Sequence, residues 1–208
     1  MVTKTKAKTV AKEPKWVKFF PHILITTGVL GLFASISLSL DELKLLKNPN
    51  FQPICNLNPL LSCTSVISSS QATAFGDIPN PYFGLAAFAV LVTVGVAILA
   101  GAKFKKWFWQ GLLLGTTLGV LFVHWLFFQT VYNIGKLCLY CMLTWIVTIS
   151  IFVYSLLMNH RQGYLPKNKK LNAFLDFVGR HHVDLLITWF LILGGLILNH
   201  FWYFFGPK

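Results

Sequence analysis

Five stretches of this 208-residue chain are long and apolar enough to cross a bilayer, and they constrain its fold more than any other feature: Trp16–Leu40, Tyr82–Ala102, Trp107–Val131, Leu137–Met158 and Val183–Phe205. A bilayer core takes about 20 apolar residues per helix. Together the five hold most of the chain, so one all-α membrane bundle is expected. The remaining segments are a basic tail over residues 1–15, read as disordered, an outer loop over 41–81, and a basic linker over 159–182. The run after the basic tail is about 25 residues long, beyond the 7–15 of a signal-peptide core. No small-residue cleavage site follows Leu40, so the run is read as a retained first helix.

The formal net charge of +12 invites a nucleic-acid reading, but the charges are sorted by loop. Lys4, Lys6, Lys8, Lys12, Lys15 and Lys18 precede the first stretch. Lys103, Lys105 and Lys106 lie between the second and third, and Arg161, Lys167, Lys169, Lys170 and Arg180 between the fourth and fifth. These fourteen fall on one side of the membrane, against Lys44, Lys47, Lys136 and Lys208 on the other. Cytoplasmic loops carry the excess of Lys and Arg. The N-terminus is therefore expected inside and the C-terminus outside, and the basic excess reports topology rather than nucleic acid.

The same topology puts all four cysteines, Cys55, Cys63, Cys138 and Cys141, on the outer side, where disulfides persist. Cys138-Leu139-Tyr140-Cys141 stands at the mouth of the fourth stretch, one helical turn from sulfur to sulfur. Unpaired N–H groups at a helix start favour a thiolate, and Lys136 lies two residues away. Cys55 and Cys63 sit in a Pro-rich loop beside Asn56, Asn58 and Ser62, and are expected to be mobile and exposed. A loop dithiol and a fixed dithiol make a relay that works through mixed disulfides, with a terminal acceptor soluble in lipid, hence a quinone. The alternatives are structural disulfides or a zinc site of all four thiols. Cys-only zinc sites usually pair two Cys-x-x-Cys knuckles, whereas Cys55 and Cys63 are eight apart.

Other features are weighed beside this one. Pro21 lies near the start of the first helix, where a missing N–H costs little. Asp41–Lys47 is expected to continue that helix by a turn or two. The segment Thr64–Phe75 reads as a short helix lying over the bundle as a lid. Gly111, Gly115 and Gly119 form a ridge that marks close helix–helix contact in lipid. His124 and Asp77 are candidates for a proton relay or ligand contact, and residues 159–182 read as a linker without chemistry. No phosphate loop, nucleophile triad or His-rich metal motif is present, and no metal ligand set is assigned.

The eight-residue step from Cys55 to Cys63, the turn Thr64–Ser69 after it, Asn80-Pro81-Tyr82-Phe83-Gly84 and Cys138-Leu139-Tyr140-Cys141 together resemble the vitamin K epoxide reductase family over residues 15–158. The DsbB type of disulfide generator carries its Cys-x-x-Cys before the separated pair, the reverse of the order here. The resemblance implies a four-helix bundle over 16–158 around a quinone of ubiquinone, menaquinone or phylloquinone type. The fifth helix, in 183–208, is additional, as in bacterial members, and a bacterial inner membrane is the implied location. Cys141 would face the quinone, Cys138 would exchange with Cys63, and Cys55 would meet a thioredoxin-like, DsbA-like partner. Asn80, Ser69 and Phe83 match quinone-site positions. Trp145 stands where vertebrate enzymes have a tyrosine as a second ligand-oxygen donor; it shares a helix face with Cys141 and is the remaining quinone-site candidate, able to stack on a ring or donate its indole N–H. Many bacterial relatives carry a thioredoxin-like domain after the fifth helix. None follows here, so a separate partner is expected. The implied activity is that of a membrane thiol:quinone oxidoreductase generating disulfides, with quinone or epoxide reduction for another pathway as the alternative.

Overall fold

The computed structural model describes residues 15–166 and 168–205; the tail over 1–14 lies outside them. Five helices are long and apolar enough to cross a membrane: α1 (Lys15–Lys47), α3 (Asn80–Leu99), α4 (Lys106–Phe128), α5 (Leu139–Arg161) and α7 (His182–His200). Among the described residues three shorter α-helices accompany them: α2 (Cys63–Ile67), α6 (Lys169–Arg180) and α8 (Trp202–Phe205). The protein is an all-α membrane bundle.

α1 runs past Leu40 to Lys47, so Asp41–Lys47 continues it as expected, with Lys44 and Lys47 in the last turn opposing the helix dipole. Pro21 lies inside α1 rather than at its start. There it removes one helical hydrogen bond, and its carbonyl oxygen sits 2.8 Å from where a Cβ on Gly95 would stand, so α3 passes close to it. α4 continues into a π-helical turn, Gln129–Ile134, and the chain reverses at Gly135, whose φ of 65° suits glycine.

α5 organises the bundle. It packs on α1 along one side and α4 along another, while α3 lies along α1 and barely touches α4. One apolar cluster (Phe20, Leu24, Phe88, Trp109, Ile151) fills the space among α1, α3, α4 and α5, and a second (Val120, Phe127, Trp145, Ile149, Val153) joins α4 to α5. Asn159 is fully buried and donates to the Trp109 carbonyl at 2.9 Å, tying α5 to α4.

α7 is the least buried of the five spans. Its Trp189 donates to His124 Nε2 at 3.0 Å, and His124 Nδ1 meets the Val120 carbonyl at 2.8 Å. Both ring nitrogens of His124 are thus engaged, and the side chain clasps α4 to α7. The lid is shorter and more broken than one helix over Thr64–Phe75. α2 ends at Ile67 and a 3-10 turn, Ser70–Thr73, follows, because Ser68 and Ser69 leave the helical path between them.

Candidate functional site

The outer loop is fastened to the start of α5 by its own polar residues. Leu137 donates its N–H to the Leu60 carbonyl, and Ser62 donates to the Leu137 carbonyl, both at 2.9 Å. Asn58 Oδ1 accepts from the N–H groups of Leu60 and Leu61, and Asn56 Nδ2 donates to Thr64 Oγ1 at 2.7 Å. Lys136 Nζ donates to the Pro59 carbonyl at 2.6 Å, so this cation anchors the loop. The expectation of mobile, exposed loop cysteines is corrected: Cys55 is 3% exposed and Cys63 fully buried. The asparagines read as solvating groups satisfy turn backbone instead, which lets the loop pack.

Burial brings the sulfurs into sequence. Cys55 and Cys63 are joined in a disulfide, and Cys138 and Cys141 are free. The Cys138 sulfur lies 3.3 Å from that of Cys63. Cys138 is the N-cap of α5, and its sulfur accepts the N–H of Cys141 at 3.4 Å. Leu38 and Val66 close over these sulfurs. The four cysteines thus form a line rather than a cage. Among the described residues no three His, Cys, Asp or Glu side chains gather as a metal site.

Cys141 opens on the far side into a cavity of about 550 Å³ between α3 and α4. α1 contributes Ser35, Leu38 and Glu42 to its wall, and α5 contributes Cys141, Thr144, Thr148 and Ile151. Val66, Ile67, Ser69, Gln71 and Ala72 form its roof. Asn80 and Phe83 line it from the head of α3. Asn80 also holds the roof: its Oδ1 accepts from Ala74 N at 3.1 Å and its Nδ2 donates to the Gln71 carbonyl at 2.7 Å. An amide nitrogen has two hydrogens, so one N–H of Asn80 remains for a ligand oxygen. Ser69 donates to the Val66 carbonyl at 2.7 Å and so steadies the roof. Phe75 bridges Phe83 of α3 and Phe122 of α4, at 5.3 and 5.1 Å between ring centres.

Two expectations fail at this cavity. Trp145 does not line it. Relative to Cys141, the cavity side of α5 turns toward Thr144 and Thr148, and a residue at i+4 falls on the opposite flank. Trp145 instead packs edge-on against Phe127 at 5.2 Å. Two of the three α4 glycines do not meet another helix of the chain: nothing lies within 4 Å of a Cβ built on Gly111 or Gly115, while one on Gly119 would stand 3.2 Å from the Thr148 methyl of α5. They form cavity wall. Asp77 is exposed and outside the lining. The sequence reading also missed Glu42, whose buried Oε2 has no hydrogen-bond partner while the residue lines the cavity. A carboxylate in the last turns of a long apolar helix was the available signal.

A cavity of this size lies in the range of small-molecule sites, which are mostly apolar with a few polar groups for orientation. Its wall is apolar but for Cys141, Asn80, Glu42 and a few hydroxyl and amide groups, the kind of lining a quinone ring with two oxygens calls for. The residues present fit such a group. No curated protein matches the chain. Residues 22–156, more than half of it, match the vitamin K epoxide reductase family. That family works as quinone-linked thiol oxidoreductases or epoxide reductases in membranes. On that match, with which a disulfide set against a thiol pair that opens on an apolar cavity agrees, the chain belongs to the vitamin K epoxide reductase family.

Proposed function

We propose that the protein oxidises a separate thioredoxin-like protein on the outer side of a bacterial inner membrane and passes the electrons through its two cysteine pairs to a quinone. The observation that carries this is the 3.3 Å between Cys63 and Cys138 while Cys63 is bonded to Cys55. A sulfur at that distance is placed for thiol–disulfide exchange.

The steps balance as follows. A partner dithiol reduces Cys55–Cys63, becoming a disulfide itself and leaving two thiols on the loop. The Cys63 thiolate then attacks Cys138 of an oxidised Cys138–Cys141 pair, forming the Cys63–Cys138 bond and releasing Cys141 as a thiolate into the cavity. Cys55 attacks Cys63, restores Cys55–Cys63 and releases Cys138. The result is the arrangement observed, with the loop oxidised and the helix pair reduced. Closing Cys138–Cys141 again releases two electrons and two protons. A quinone held beside Cys141 and Asn80 would supply the acceptor for these two electrons and two protons.

The residues of the chain orient and protect this step. Cys138 receives the N–H of Cys141 as a developing thiolate, and Asn80 keeps one N–H for a ring oxygen while holding the roof shut. Gly111, Gly115 and Gly119 leave room along α4 for a prenyl chain. Ile54 and Leu57 flank Cys55 and are 87% and 62% exposed, an apolar footing for the partner where the sulfur itself is covered. Lys136 is committed to Pro59, so removing its charge acts on the loop.

The test is trapping. In Cys55→Ala/Cys141→Ala protein, the remaining Cys63 and Cys138 should close into one intramolecular disulfide, read as a cross-linked peptide by mass spectrometry. Separately, wild type with a reduced thioredoxin-like protein and a quinone should form quinol, and Cys138→Ser should not. Absence of the cross-link, with quinol formation retained in Cys138→Ser, refutes the relay.

A further inference from the structure

The segment between α5 and α7, which the sequence presents as a plain linker, contains a strongly two-sided helix. In α6, Leu175 and Val178 are buried, Val178 in one apolar cluster with Leu157 of α5, and a Cβ added to Gly179 would stand 3.6 Å from Leu157. Asp176, the one acid of α6, is turned to His160 of α5 at 2.9 Å. The helix is thus pinned along one side.

Its other flank carries Phe174 and Phe177, spaced i and i+3 on one face, at 60% and 47% exposure. Lys169, Lys170 and Arg180 are exposed around them. Water is a poor surrounding for two adjacent phenylalanines. The level of the helix offers another: its far end meets His182, which packs against Trp16 and Tyr154 at the end of the spans α1 and α5. Tryptophan and tyrosine mark the membrane–water boundary. An amphipathic helix with aromatic residues on one face and cations beside them lies in the plane of that boundary.

We infer that α6 is an in-plane membrane helix that seats Phe174 and Phe177 in the acyl region of a bilayer and binds anionic phospholipid headgroups through Lys169, Lys170 and Arg180. Charge selects the occupant. With Asp176 engaged by His160, Lys169, Lys170 and Arg180 stay exposed beside the two phenylalanines, and exposed cations near a bilayer are drawn to anionic headgroups. Seated so, α6 holds the start of α7, the span with the least protein around it.

The experiment follows amide hydrogen exchange over residues 169–180 in the full-length protein, in nanodiscs of phosphatidylcholine alone or mixed with phosphatidylglycerol. Exchange should slow at least about tenfold in the mixed bilayer, and high salt should return it to the phosphatidylcholine value. Lys169→Gln/Lys170→Gln/Arg180→Gln should lose the same increment, and Phe174→Ser/Phe177→Ser should speed exchange in both bilayers. Equal exchange in the two wild-type nanodiscs overturns the headgroup assignment, whatever the variants do. Equal exchange in phosphatidylcholine nanodiscs and in detergent, unmoved by Phe174→Ser/Phe177→Ser, overturns the in-plane seat.

Discussion

Two sets of glycines face opposite surroundings in this bundle. Between α1 and α3, an added Cβ on Gly28 would stand 3.0 Å from the Val92 nitrogen, and one on Gly95 would stand 2.8 Å from the Pro21 oxygen. On Gly31 it would run into the Phe88 ring, and on Gly84 into the Ser35 hydroxyl. Along α4, Gly111 and Gly115 have nothing within 4 Å. Small residues let helix backbones approach in lipid, and the first set does this. The second set has the more regular spacing and faces the cavity. A glycine ridge in a membrane helix therefore reports that something other than its own side chains occupies the space, and the occupant is either a backbone or a ligand.

The sharpest way to break this comparison is to enlarge one member of each set. Gly95→Leu puts a branched side chain against a backbone oxygen and the Cβ of Leu24. Neither can rotate away, so α1 and α3 must separate, at a cost of about 3 kcal/mol, the upper end for overpacking. The expected outcome is loss of monodisperse protein in detergent, or a large fall in the midpoint of thermal unfolding. A Gly95→Leu protein with wild-type stability would mean that the close approach of α1 and α3 is not needed.

Gly115→Leu should behave in the opposite way. The side chain enters open space, so the fold should survive and the cavity should shrink. Under the proposed activity, KM for a long-chain quinone should rise about tenfold, a loss near 1.4 kcal/mol, while exchange between Cys63 and Cys138 stays intact. Unchanged quinone kinetics would remove the α4 ridge from the ligand path. Asn80→Ala should have a smaller effect on the same KM and should also loosen the roof, read as faster exchange at Ala74, whose N–H it accepts.

These contrasts also show where sequence reasoning succeeded. The spans were legible because hydrocarbon enforces length and apolarity whatever the neighbours are. The order of the four cysteines was legible because it is a property of the chain. What depended on neighbours was not. Trp145 shares a helix face with Cys141 by periodicity, but which flank of that face the cavity takes is decided by where α3 and α4 part. Cys55 and Cys63 looked solvated because Asn56 and Asn58 looked polar, and those amides turned out to cap the backbone of a packed loop. Pro21 looked close to the apolar boundary at Trp16, yet more than a full helical turn of α1 already precedes it. Glu42 drew no attention because its significance lies in having no partner.

The ridge on α4 itself offers the finest form of the comparison, since its three glycines do not share one environment. An added Cβ on Gly119 would stand 3.2 Å from the Thr148 methyl group of α5, tight enough to press on a side chain whose β-branch restricts its χ1 in a helix. Alanine is favoured over glycine inside a helix by about 0.5–1 kcal/mol. For Gly111→Ala that gain is unopposed, so the unfolding midpoint in detergent should rise slightly. For Gly119→Ala the contact with Thr148 offsets it, and the midpoint should stay near wild type. Gly119→Ala/Thr148→Ser, which removes the opposing methyl, should recover the gain seen at Gly111. If Gly111→Ala instead destabilises the protein as much as a substitution at Gly95 does, the open face of α4 is packed against something in the folded protein, and the division between the two glycine sets fails.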